Sequence, residues 1–157
     1  MGTVRASNRV VLSSAESQFP QPFSLLKTFE RLVQDHGAAF RGLARFRPGS
    51  EYQRERVYVT PDFEVWLLSW LPGQVTPIHD HGGSLTITTV LVGVVLEERF
   101  ALDGARLRPA WTMARTTGET EVIDGSAIHR VRPLGTAVTL NLVAPVCREG
   151  RIYEPVP

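Results

Sequence analysis

Residues 70–93 read Trp70-Leu-Pro-Gly73-Gln-Val-Thr-Pro-Ile-His79-Asp80-His81-Gly-Gly-Ser-Leu-Thr86-Ile-Thr-Thr-Val-Leu-Val-Gly93. On extended backbone, side chains two apart share a face, so His79 and His81 project to one side and Asp80 to the other. Two imidazoles aimed at one point form a chelating pair, and Asp80 on the far side is placed to anchor a turn or a neighbouring strand. Leu85–Val92 and Val94–Phe100, separated by Gly93, are rich in β-branched and apolar residues and read as two strands.

Outward from this stretch the same texture continues. Arg56–Thr60, Phe63–Trp70, Val75–Asp80, Leu107–Ala114, Glu119–Ile123, His129–Pro133 and Thr136–Ala144 are short strand-like segments. Between the segments lie Pro61-Asp62, Pro72-Gly73, Gly82-Gly83, Asp103-Gly104, Asp124-Gly125 and Leu134-Gly135. Turn signals about every 8–12 residues point to a β-sandwich or small barrel rather than to βαβ units. Before residue 50 the pattern differs: Leu25, Leu26, Phe29, Leu32 and Val33 recur at helical spacing, with Gly37 a plausible stop and Ala38–Phe46 a further short helical turn. The expected architecture is mainly β, one domain over 1–157, with an arm and helices over 1–50 and a barrel over 51–157. His36 then falls at the helix end, where an imidazolium suits the helix dipole.

The chain has 157 residues, 43% of them hydrophobic and 21% charged, enough for a single buried core. A formal net charge of +1 supplies no field for capturing nucleic acid or an anionic membrane, which leaves a small molecule as the expected partner. Residues 1–18 lack the apolar run of a secretory signal and read as a frayed arm. Cys147 is the one cysteine and reads as a packed thiol, so the cytoplasm is the expected compartment. Trp66 and Trp70 share one face of their strand and read as core. Arg99, Arg106, Arg108 and Arg115, scattered among acidic residues, read as solvated strand faces. A third histidine, His129, opens a strand after the Asp124-Gly125 turn, where barrel closure brings it opposite the first pair.

The series Gly73, His79, His81, Thr86, Gly93 resembles the first cupin motif, with Thr86 where many cupins carry a glutamate ligand. Gly118, Asp124, Ser126 and His129 resemble the second, with Asp124 and Ser126 in place of the usual proline and glycine. Within cupins, Trp70–Gly82 and Ile128-His-Arg-Val131 resemble the cysteine dioxygenase family of thiol dioxygenases, over roughly Tyr52 to Pro145. The resemblance implies a cupin-type β-barrel (jelly roll) with a short helical N-terminal segment. It also implies a mononuclear iron(II), Fe(II), held by His79, His81 and His129, and an enzyme that uses O2 to oxidise a small thiol to a sulfinate. Tyr52 and Arg54 match the family's pair that binds an amino-acid substrate, the arginine on its carboxylate.

Three neutral imidazoles leave a divalent ion's charge uncompensated, which draws an anionic donor such as a thiolate to it. Zinc, copper or nickel would suit the same donors, and a three-histidine zinc site can activate water. The chain departs from the family where Ser-x-His-x-Tyr is usual: it has Thr139-Leu-Asn141-Leu-Val143. The outer His and Tyr are replaced, Thr86 stands where some members carry a crosslinking cysteine, and Asn141 remains able to hydrogen-bond a ligand beside a drier Val143. An altered surround opens two alternatives: an iron dioxygenase acting on a non-thiol metabolite such as an electron-rich ring, and a non-catalytic small-ligand-binding cupin.

Overall fold

The apolar repeat that begins at Leu25 runs past Gly37. In the computed structural model, which describes residues 21–146 and 150–154, a single helix, α1, spans Pro22–Leu43. The residues 1–18 arm and Cys147 lie outside that range. Gly37 does not end the helix because Phe40, one turn on, is buried in the core. Burying a phenylalanine stabilises by about 1.5–3 kcal/mol, which outweighs the ~1 kcal/mol that a helical glycine costs relative to alanine. His36 is therefore exposed in mid-helix, and the basic residue of the last turn is Arg41.

Ten strands follow among the described residues: β1 (Gln53–Val59), β2 (Glu64–Trp70), β3 (Ile78–His79), β4 (Leu85–Val92), β5 (Val94–Asp103), β6 (Arg106–Thr116), β7 (Thr120–Ile123), β8 (Ile128–Pro133), β9 (Ala137–Ala144) and β10 (Ile152–Tyr153). They form two antiparallel five-stranded sheets, ordered β1-β2-β9-β4-β7 and β10-β3-β8-β5-β6. This is the expected mainly β jelly roll, preceded by one long helix where a short helix and a further turn were expected. The strand expected over Val75–Asp80 shrinks to Ile78–His79, since Pro77 has no N–H to give a ladder. Thr76 still bridges to β8, its N–H donating to the Val131 carbonyl (3.0 Å) and its Oγ1 accepting from the Val131 N–H (2.9 Å).

The two faces of the first sheet have opposite character. Val65, Leu67, Ile87, Leu91, Leu140 and Leu142 turn outward and pack with Leu25, Phe29 and Phe40 of α1, so the main apolar core lies between helix and sheet. The alternate residues Trp66, Leu68, Thr86, Thr88, Thr139 and Asn141 turn inward toward the second sheet, and this interior holds polar groups beside a smaller apolar cluster of Leu68, Trp70, Val90, Val95 and Ala137. Gln74 ties the helix to the barrel: its Oε1 accepts from Leu71 N–H (2.7 Å). Its Nε2 lies 2.7–3.1 Å from the carbonyls of Arg47, Gly49 and Glu51, which fixes the approach to β1. Among the described residues no helix is long and apolar enough to cross a membrane.

Phe29 is 0% exposed and faces away from the barrel interior. Phe29→Ala is expected to lower the unfolding free energy by about 3–5 kcal/mol in urea titrations, with metal stoichiometry of the folded protein unchanged.

Candidate metal centre

Strand register assembles the site. His79 of β3 pairs with His129 of β8, and His129 pairs on its other side with Arg99 of β5, so these side chains stand in one row on the interior face. His81 lies just past β3. Asp80 turns away, as expected for an anchor: its carboxylate accepts from the N–H groups of Gly82 and Arg151 (both 2.9 Å) and from Tyr153 Oη (2.7 Å), tying the turn to β10. These bonds hold the carboxyl below its usual pKa, against the opposing effect of burial, which is the largest single influence. The His81 N–H donates to the Gly125 carbonyl (3.1 Å), and a Cβ at Gly125 would collide with the Gly83 backbone. Only glycine permits this approach of the β7–β8 turn, which sets His81 beside His129.

One ligand nitrogen from each of His79, His81 and His129 lies within 4.8 Å of the others. His79 Nδ1 is 2.9 Å from the Pro77 carbonyl and His129 Nδ1 is 3.1 Å from Glu97 Oε1. A carbonyl and a carboxylate only accept, so both Nδ1 atoms carry the proton and both Nε2 atoms are bare. His81 Nε2 is 2.9 Å from His129 Nε2 and must be the donor in that contact. A cation among the rings replaces one shared proton. This donor set fits a divalent transition metal of the imidazole-binding group, held with positions to spare for other ligands.

The histidines separate two cavities. The outer one, of about 260 Å³, is lined by Tyr52, Arg54, Trp66, Leu68, Thr86 and Asn141, among others. Tyr52 stacks on Trp70 (4.1 Å between centroids), and the Arg54 guanidinium lies 4.7 Å over the Trp66 ring. Arg56 pairs with Glu64 (3.5 Å), whereas Arg54 has no carboxylate partner among the described residues. Thr86 and Asn141 line both cavities, and Thr86 Oγ1 and Asn141 Oδ1 are buried without hydrogen-bond partners among the described residues. All four residues singled out beside the histidines thus face the site. Trp70 is core, donating Nε1–H to Thr139 Oγ1 (3.2 Å), and Trp66 packs against the same apolar cluster while also lining the outer cavity.

The inner cavity, about 60 Å³, contains what sequence reasoning missed. Arg106 and Arg108 are exposed as expected, but Arg99 and Arg115 are largely withdrawn from solvent. Arg99 bridges Glu97 and Glu121 (3.2 Å to the latter), and Arg115 Nε donates to Glu121 Oε2 (3.0 Å). The signal was present: Val95, Glu97 and Arg99 alternate on β5 with outward Leu96 and Glu98, but period two does not say which face is interior. Burial, then the neighbouring Glu97 carboxyl, raises the pKa of Glu121.

Burial, reinforced by the neighbouring imidazoles, pushes His81 and His129 down to about 3, and burial lowers His79 as well. The folded protein therefore keeps the His81 and His129 rings neutral in mild acid, while the unfolded chain takes up a proton on each below about 6.5. Stability from this source is complete above 6.5 and is lost as pH falls toward 3. Urea titrations of metal-free protein should show lower stability at pH 5 than at pH 7.5, whereas Co(II) titrations of the folded protein should change little between those values.

Comparison with known proteins places this geometry. No curated protein matches the chain. The TT1209 structure from Thermus thermophilus is 24% identical, covering 68% of this chain and 93% of its own, with TM-score 0.57. A Klebsiella pneumoniae conserved protein with a double-stranded β-helix domain is 20% identical over 73% and 88%, with TM-score 0.61. KdgF from Halomonas sp. is 20% identical over 66% and 90%, with TM-score 0.53. These likenesses concern the fold. The family model for cysteine dioxygenase type I matches residues 26–154, a span that includes α1 from its second turn, the three histidines and β10, and the chain belongs to that family.

Proposed function

We propose that this chain is a non-heme iron(II)-dependent dioxygenase that adds both atoms of O2 to the sulfur of a small carboxylate-bearing thiol, giving a sulfinate. The observation that carries the reading is the three-imidazole site, with no carboxylate joining it among the described residues, facing a cavity whose wall holds an arginine without a carboxylate partner among those residues. Iron(II) held by His79, His81 and His129 would supply dioxygen activation and the positive charge that draws a thiolate. The thiolate and O2 combine without loss of atoms, so no reductant or leaving group is needed.

The protein's own groups bind and orient. Arg54, lying over the Trp66 ring, presents its guanidinium fork to the substrate carboxylate. Tyr52, pinned against Trp70 and with its hydroxyl pKa raised by burial, stays a neutral phenol beside it. Thr86 Oγ1 and Asn141 Oδ1 are open to hydrogen bonds from ligand groups next to the histidines, while Leu68 and Val143 keep that wall dry. A soluble thiol and O2 as partners, with no nucleic acid or membrane, agree with the near-zero net charge, and a reducing cytoplasm suits a thiol substrate. A hydroxyl-bearing ring is the second reading, favoured by the two open hydrogen-bonding atoms beside an apolar wall.

Anaerobic reconstitution with ferrous iron, followed by oxygen uptake on a thiol panel, should find turnover with a carboxylate-bearing thiol. Iron-loaded protein that consumes no oxygen with any thiol would remove the thiol assignment. With labelled O2, two labels on sulfur support the first reading and a ring-opened product the second. Arg54→Ala should lower kcat/KM by about 10–100-fold, since a hydrogen bond to a charged group contributes about 1.5–3 kcal/mol, and should leave a carboxylate-free thiol analogue unaffected.

A further inference from the structure

Behind His129, on the side away from the outer cavity, the barrel interior holds a charged cluster that neither the resemblance nor the substrate reading uses. Glu97 is 2% exposed and His129 3%. Glu97 Oε1 meets His129 Nδ1 (3.1 Å) and also the Nε of Arg99, whose guanidinium continues to Glu121 and thence to Arg115. Glu97 and Arg99 sit two apart on β5, opposite Val131 and His129 of β8, so the pairing register itself brings the carboxylate diagonally onto the imidazole. Two carboxylates against two guanidiniums make the cluster neutral, which is how a carboxylate can be buried this deeply. His79 Nδ1 meets a backbone carbonyl, whereas the partner of His129 Nδ1 among the described residues is this side chain.

We propose that Glu97 is the positioning residue of the metal centre: by accepting the Nδ1 proton of His129, with Arg99 bracing the same carboxylate oxygen, it fixes the ring and its tautomer so that Nε2 faces His79 and His81. The inference rests on the three histidines being a metal site. Carboxylate, imidazole and cation in line raise the basicity of the ligand nitrogen, and loss of such a partner commonly weakens metal binding by about 10–100-fold. Arg99 answers the carboxylate's charge, so the orientation is gained without cancelling the cation's attraction for an anionic ligand.

The test uses the full chain. Long-range nitrogen–proton NMR of metal-free protein should show His129 as its Nδ1–H tautomer. Glu97→Ala should give the other tautomer or a mixture and bind Co(II) about 10–100-fold more weakly, with an altered visible spectrum of the bound ion. Glu97→Gln should restore most of both. Its amide oxygen faces two donors, Arg99 and His129, and its NH2 is left to point at Glu121. An Nε2–H tautomer in the wild-type protein overturns the proposal without any variant, so a failure of Glu97→Ala to fold does not shield it. So does Glu97→Ala that folds and binds Co(II) as tightly as the wild type with an unchanged spectrum. Wild-type protein that takes up no Co(II) overturns the metal reading itself, and with it Glu97's role at a metal, while the tautomer in the same sample still decides whether Glu97 sets the ring.

Discussion

The register in which β3, β8 and β5 pair is the constraint on which the site depends. It sets His79 opposite His129 and His129 opposite Arg99, all on the interior face, with Glu97 one diagonal step away. Because side chains alternate with period two, a slip of one residue would send all of them to solvent and bring Arg130 and Glu98 inside. The register is held from outside the site. Asp80 grips β10, Gly125 accepts the His81 turn, and Thr76 lends β8 a side-chain oxygen where Pro77 has no N–H.

The barrel interior shares its space between the histidines, the ion pairs and a smaller apolar cluster of Leu68, Trp70, Val90, Val95 and Ala137, so the main apolar core lies elsewhere. Here the outward face of the first sheet supplies it, covered by α1 through Leu25, Phe29 and Phe40. The helix thus carries the packing that frees the inward face for Thr86, Asn141, Glu97 and the histidines. It also explains why β2 and β9 are buried along nearly their whole length, one face against the helix and the other in the barrel.

Inside, charge is arranged in two parts. The cluster of Glu97, Arg99, Glu121 and Arg115 balances itself, and the three imidazoles remain neutral because burial disfavours their protonated forms. A cation bound among them would keep its own charge undiminished toward the outer cavity, whose wall holds the Arg54 guanidinium. Metal and arginine would then present two positive points to a small molecule with two anionic ends.

Much of this was legible in the chain. Turn signals between β-branched segments gave the strand count closely, and the paired histidines with His129 marked the site, since ligand spacing along a strand is a local property. Where the helix ends was not legible, because Gly37 is a weak local stop and the burial of Phe40 is a tertiary fact. Arg99 and Arg115 were misplaced for a related reason: alternation tells which residues share a face but not which face closes over. Sequence by itself determined the alternation, the turns and the residues able to bind a cation. The tertiary structure alone decided which charged side chains face inward and meet His129, because that follows from pairing between strands distant in the chain, and no local spacing encodes it.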